Sequence, residues 1–386
     1  MTFIAKARVF SVSFGAFYAL ILVLLCFWPA AQRQVLYMHA VRLPLGAQFD
    51  LPERYGLAPH KTLNIGIRTP DNETIGAWFT LSEPFYAAQK THKAMDDETI
   101  KAALRAHPTL LYFHGTAATR ALNKRVAYYK EYSARLRMNV LAIDYRGFAD
   151  STGVPTEEGL TIDARAAWDW LAGHGAQQGD VLIMGNSLGT AVSVQLASAL
   201  ENDGIRPRGV VLLAPFTRVE DLLESYHLFS VIPLLAPLKM LPQAAAYLKT
   251  RLTHRFDTLA KITTLKTGVL LAHAADDFDI SHSHSDVIFE AFLEKHLPTL
   301  PLLTTGLDVP SEAALQELAK VVKERATVRS RLVTSQEVDR VGLLEVFKQS
   351  GGTGDVVILK TEYGGHDQIG LWQGVQDIVA ELFDLH

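Results

Sequence analysis

Three side chains in three separate sequence contexts could together make a covalent catalyst. Ser187 stands in Gly185-Asn186-Ser187-Leu188-Gly189, after the apolar run Val181–Met184 and before a helical pattern over Leu188–Leu200. A serine on such a strand-to-helix turn is pushed to the tip of the sheet, and only glycines such as Gly185 and Gly189 leave room for the neighbouring strand and helix. A hydroxyl needs a base to become a nucleophile, and the base needs a group to orient it. His366, in Tyr363-Gly364-Gly365-His366-Asp367, follows the last apolar run and is the one histidine of fourteen that chain order puts in the place of that base. The acid comes from the loop after Val269–Ala272, where Asp277 lies at the acid position of an H-G-x-x-D-x-x-[VI] spacing counted from His273. Asp276 stays the alternative, and Asp279 reads as solvated. A G-x-S-x-G pentapeptide alone arises by chance in roughly one chain of this length in ten. The order of serine, acid and histidine, each after a strand, adds the weight.

Such a set performs acyl transfer, which also requires two donors for the oxyanion of the tetrahedral intermediate. The backbone N–H of Leu188, at a helix N-terminus, is one candidate. That of Thr116, in the loop after Leu110–Phe113, is the other, while His114 beside it reads as structural. His282 and His284 form an H-x-H pair without a third ligand, so no metal site is expected, and the chemistry needs no cofactor.

The elements that must position these groups read as an α/β architecture. Leu63–Arg68 and Ile75–Leu81, joined at Pro70-Asp71-Asn72, predict an antiparallel hairpin. From Leu110 onward the apolar runs Leu110–Phe113, Val140–Ile143, Val181–Met184, Val210–Leu213, Val269–Ala272 and Val356–Leu359 alternate with helix-length segments. That rhythm predicts a mostly parallel sheet with helices on both faces. Two insertions break it. Residues 217–266 hold the apolar, proline-punctuated run Tyr226–Pro242, read as a cap over the active site or a segment lying on the bilayer, which either packs into the domain's own core or guides an acyl chain to Ser187. Residues 298–354 carry helical patterns at Glu312–Arg325 and Gln336–Gln349 and are given no chemistry.

The segments His114–Arg120 (HGTAATR), Asp144–Ser151 (DYRGFADS), GNSLG, HAADD and GGHD together resemble the membrane-anchored α/β-hydrolase-domain lipases that cleave monoacylglycerols and lysophosphatidylserine. Thr116 stands where that family commonly has asparagine, and Ala118 and Ala149 where it has glycine. The resemblance implies an α/β-hydrolase fold, a single-pass anchor, a catalytic domain in the lumen of the endoplasmic reticulum, and a lipid ester substrate. A thioesterase would use the same residues, and a non-catalytic membrane scaffold would keep only the fold.

Val9–Trp28 is an uncharged apolar run long enough to span a bilayer, and longer than a signal-peptide core of about 7–15 residues. The chain therefore divides into a tail (1–8), a transmembrane helix (9–28), a juxtamembrane segment (29–61) and a hydrolase domain (62–386). Lys6 and Arg8 before the run and Arg33 and Arg42 after it leave orientation nearly balanced. The sequon Asn72-Glu73-Thr74 tips it toward a lumenal, glycosylated domain. The single cysteine, Cys26, excludes an intrachain disulfide, and a net charge of −4 gives no surface for nucleic acid.

Overall fold

The computed structural model describes residues 3–385 except 90–92, 223–237, 239, 302–310 and 350–353, with backbone alone at 3–11 and 14. Most of the Tyr226–Pro242 run and part of the 298–354 insertion therefore lie outside the described residues. Among the described residues ten strands form one sheet in the order β1-β2-β4-β3-β5-β6-β7-β10-β9-β8. They are β1 (Thr62–Arg68), β2 (Thr74–Thr80), β3 (Thr109–Phe113), β4 (Asn139–Ile143), β5 (Val181–Asn186), β6 (Gly209–Leu213), β7 (Val269–Ala274), β8 (Val333–Val338), β9 (Gly342–Phe347) and β10 (Val356–Thr361). The centre, from β4 through β3, β5, β6 and β7 to β10, is parallel, and the pairs at both margins are antiparallel.

The central strands read as unbroken apolar runs because both faces are covered. Leu111, Leu141, Ile183, Leu212 and Leu271 point into one core. Their neighbours Leu110, Val140, Leu182, Val211 and Leu270 point into the other, as the two-residue period of a strand requires. Within the second insertion, Glu312–Leu332 is helical as expected, but the helix expected at Gln336–Gln349 is the hairpin of β8 and β9. Pairing of Gly342–Phe347 with β10 decides the matter, since it satisfies a sheet edge that local periodicity does not reveal.

At the N-terminus, helix α1 (Phe3–Phe27) is followed by α2 (Pro29–Tyr37). Trp28 is extended and Pro29 opens α2, which interrupts the backbone ladder, and the two axes bend by 103°. Among the described residues no single helix is long and apolar enough to cross a membrane, whereas Gly15–Phe27 and Pro29–Tyr37 are so together, by length and composition. The end of α1 packs on the hydrolase body, with Leu25 buried against Leu238, Ala245 and Leu248. Gln32 fastens the bend. Its Nε2 donates to Leu25 O (2.6 Å) and Arg251 O (2.9 Å), and its Oε1 accepts from Thr253 N (3.0 Å).

Candidate active site

β5 ends at Asn186 and a helix begins at Leu188, so Ser187 alone makes the turn, at φ 52° and ψ −119°. A side chain in that left-handed region is strained and persists only where its surroundings dictate it. Here they do so by close approach. A Cβ on Gly185 would sit 2.1 Å from Gly189 O, and one on Gly189 would sit 2.0 Å from Phe113 O. Ser187 N donates to Leu213 O (3.0 Å), and Thr190 Oγ1 donates to Ser187 O (2.6 Å).

The loop after β7 brings Asp277 to His366, with Oδ2 2.8 Å from Nδ1. Its Oδ1 accepts the N–H groups of Asp279 and Ile280, both at 2.9 Å. Burial opposes the charged carboxylate, but hydrogen bonds from His273 and His366 outweigh it and hold Asp277 well below the usual carboxylate range. Burial likewise opposes a charged His366, and the Asp277 carboxylate more than reverses this, so the imidazole pKa is raised. Asp276 does not reach the imidazole. Its Oδ1 accepts Gly365 N at 2.7 Å and so fixes the loop that carries the histidine. Asp279, expected to be solvated, is only part-exposed and places a carboxylate oxygen within 4.8 Å of ligand atoms of Asp277 and His366. The H-x-H pair splits, with His282 near Asp286 and His284 on Thr217.

Two supports of this pair escaped the sequence reading. Fully buried His273 places Nε2 3.1 Å from Asp277 Oδ2 and 3.0 Å from Ile280 O. Both partners are acceptors, so Nε2 carries the proton, and Nδ1 accepts from Ser285 Oγ at 2.7 Å. Asn186, the residue before the serine, donates Nδ2 to His366 O at 3.1 Å. Only the spacing from His273 to Asp277 hinted at the first.

The loop 114–119 passes beside the serine, so close that a Cβ on Gly115 would lie 3.2 Å from Ser187 Cβ. Among the described residues the amide of Thr116 has no hydrogen-bond partner. Leu188 opens its helix, where N–H groups lack intrahelical acceptors. The loop is held from both sides. Ala117 N donates to Tyr37 O (2.9 Å), Ala118 N to Val41 O (2.7 Å), Thr119 N to Leu43 O (3.0 Å) and Thr116 Oγ1 to Leu36 O (3.1 Å). From within, Arg125 Nη2 donates to the carbonyls of Gly115 (3.1 Å), Thr116 (3.4 Å) and Ala117 (2.7 Å). His114 is fully buried against Tyr145 and Phe148, in keeping with a structural role.

Ser187 lies where two cavities meet. The first, about 830 Å³ counted to its open mouth, is apolar and is walled by Leu25, Val35, Leu36, Phe216, Leu248 and Ile280 among others. The second is mixed: Met38, Val41, Leu43 and Leu122 line it together with Lys124, Arg125, Asp279, His366 and Asp367. Ser187 and Thr116 border both.

A fold of this topology with a strained serine between β5 and its helix defines a class, and comparison with known proteins places the chain in it. The profile of the α/β-hydrolase fold matches residues 110–300. The chain is 37% identical over 214 residues to the lysophosphatidylserine lipase ABHD12 of Rattus norvegicus, covering 55% of this chain and 51% of that protein. It is 31% identical over 267 residues to Protein ABHD12B of Homo sapiens, covering 66% of this chain and 68% of that one. A solved α/β hydrolase of Vibrio vulnificus superposes over 90% of this chain and 91% of its own with a TM-score of 0.53 at 14% identity, a likeness of fold. The chain belongs to the α/β-hydrolase family, in the group of ABHD12 and ABHD12B. It spans about half the length of the ABHD12 lipases it matches.

Proposed function

We propose that this chain is a serine hydrolase that cleaves carboxylic esters of single-chain lipids through an acyl-enzyme, as a lysophospholipase or monoacylglycerol lipase. The observation that carries the reading is the position of Ser187, between an apolar cavity and a more polar one, of mixed lining, that also contains His366. An ester of a long acyl chain with a polar alcohol has the same two-sided character. The name of the ABHD12 relatives, lysophosphatidylserine lipase, supports the same substrate class.

In this mechanism His366 takes the proton of Ser187 as the oxygen attacks the ester carbonyl, and Asp277 stabilises the imidazolium. The amides of Leu188 and Thr116 receive the oxyanion. His366 returns the proton to the departing alcohol, and water then releases the fatty acid by the same path in reverse. The acyl chain occupies the apolar cavity. Because Leu25, Val35 and Leu36 form part of its wall, α1 and α2 belong to the lipid path. Val12, Phe17, Leu20, Val23, Phe27 and Trp28 are exposed along and just beyond α1, a surface suited to a bilayer. In this topology the hydrolase domain faces the lumen of the endoplasmic reticulum and Asn72, exposed on the turn between β1 and β2, carries a glycan.

Fluorophosphonate labelling followed by hydrolysis assays in detergent tests the chemistry. Wild type should label and release fatty acid from single-chain lipids, and Ser187→Ala should do neither while melting at an unchanged temperature. Labelling that survives in Ser187→Ala would overturn the nucleophile. Endoglycosidase treatment tests the topology: wild type should lose apparent mass and Asn72→Gln should not.

A further inference from the structure

The helix Glu312–Leu332 lies in the insertion that received no chemistry from its sequence, and the body covers only one of its faces. Leu318, Val321, Arg325, Val328 and Leu332 are half-buried there, and Arg325 fastens that face by donating to Pro298 O (2.6 Å) and pairing with Glu294 (2.5 Å). A second row stays open. Leu315 and Val322 are 48% and 51% exposed, and Ala319 and Ala326 are exposed in line with them. The steps of four, three and four residues from Leu315 to Ala326 are those of a coiled-coil seam. Glu312 stands three residues before the row and Arg329 three residues after it. The carboxylate of Glu312 has the amide of Gln316 at 3.4 Å and meets no cation among the described residues. Arg329 donates Nε to Glu290 (2.6 Å) and Nη1 to Glu345 (3.1 Å), and its Nη2 makes no hydrogen bond among the described residues.

We propose that this row is a self-association surface whose occupant is the same helix of a second copy, running antiparallel about a twofold axis. The row of positions 312, 315, 319, 322, 326 and 329 has the same spacing read in either direction, so two copies match layer by layer. Leu315 faces Ala326 of the second copy and Ala319 faces its Val322. Each layer sets a larger side chain against a smaller one, which lets the helices approach closely. Glu312 closes each end of the seam on Arg329 of the second copy. A parallel pair would set Glu312 against Glu312 and Arg329 against Arg329, so charge selects the antiparallel one. From Glu312 to Arg329 the seam is about 26 Å long, which belongs to the small, transient class of interfaces. This surface is independent of the lipid-ester reading, because none of its residues lines either cavity at Ser187.

The test has an association arm and a register arm, both on the full chain in detergent. Analytical ultracentrifugation up to about 100 µM, where a small transient interface is populated, should show a reversible monomer–dimer equilibrium. Val322→Glu should raise its dissociation constant roughly tenfold or more, since it sets two carboxylates near the twofold axis in place of an apolar layer. The side chain is exposed in the monomer, so the melting temperature and the turnover of a soluble ester should stay as in wild type. Wild type that remains monomeric at every concentration would overturn the proposal, as would a dimer that Val322→Glu leaves intact. In the register arm, Leu315→Cys and Ala326→Cys proteins are made in a Cys26→Ser background and oxidised separately and as a mixture. The mixture should give a disulfide-linked dimer and each protein alone should not. In the antiparallel pair two copies of position 315 lie about 16 Å apart along the axis, beyond the reach of a disulfide. Cross-linking of Leu315→Cys to itself would show parallel pairing, and a mixture that does not cross-link would show another contact; either result would overturn the assignment.

Discussion

Asp277→Asn separates a triad acid from a loop anchor, and the outcome can be worked from the hydrogen bonds. The carboxylate accepts from Asp279 N and Ile280 N on Oδ1 and meets His366 Nδ1 and His273 Nε2 on Oδ2. An amide has one oxygen and two options. With oxygen toward Asp279 and Ile280, its NH₂ faces His366. The imidazole must then offer a lone pair at Nδ1 and carry its proton on Nε2, where it cannot accept from Ser187. The reverse arrangement leaves two buried backbone N–H groups facing NH₂, at about 1–3 kcal/mol each, so the first arrangement wins. The wrong tautomer costs about 10⁴ in kcat in the serine protease triad, equivalent to about 5.4 kcal/mol. Asp276→Asn keeps an oxygen for Gly365 N and loses only the charge assistance, worth about 1 kcal/mol or roughly fivefold. The ratio of the two kcat losses on a soluble short-chain ester should therefore exceed about 10³. Equal losses, or the reverse ranking, would refute Asp277 as the acid.

The raised pKa of His366 sets the pH dependence, since a base works only when neutral: kcat/KM should rise with pH through a limb above the ordinary 6.5. A raised folded pKa stabilises below the unfolded value and is lost as pH climbs through the folded one, so the Tm advantage of wild type over His366→Gln should shrink across that limb. The contacts of the loop 116–119 with residues 36–43 predict that deleting residues 1–14 preserves turnover of a soluble ester. Deleting residues 1–43 should lower kcat by about 10²-fold, the loss typical of one oxyanion donor. Equal activity of the two truncations would remove the N-terminal segment from the site.

The central strands and the order of the three catalytic candidates were legible because a parallel sheet covered on both faces leaves continuous apolar runs and puts functional loops at its carboxyl ends. Gln336–Gln349 was not, because β8 is mostly exposed and β9 takes its conformation from pairing with β10. A further cue lay in Gly342, where a Cβ would lie 1.9 Å from Lys360 O, but that demand comes from a strand distant in sequence. His273 and Arg125 were passed over for a related reason. A buried histidine or arginine is usually structural, and their roles follow from partners on other elements.

The loop 114–119 shows how the N-terminal segment bears on the candidate site. Ala117 and Ala118 adopt positive φ, 62° and 54°, in a loop where the resembling family uses glycine at the second position. A residue with Cβ in that region costs about 1–2 kcal/mol, so two in succession would relax in an unsupported loop. They are held because the amides of 117, 118 and 119 each donate to a carbonyl between Tyr37 and Leu43, while Arg125 takes the carbonyls on the other side. Each such bond contributes about 1 kcal/mol, enough together to outweigh the strain. The geometry that leaves the Thr116 amide free beside Ser187 is thus imposed by a segment that begins where α2 ends. Since α1 and α2 also wall the apolar cavity, a shift of the N-terminal helices against the body would, on the proposed mechanism, alter acyl binding and oxyanion stabilisation together.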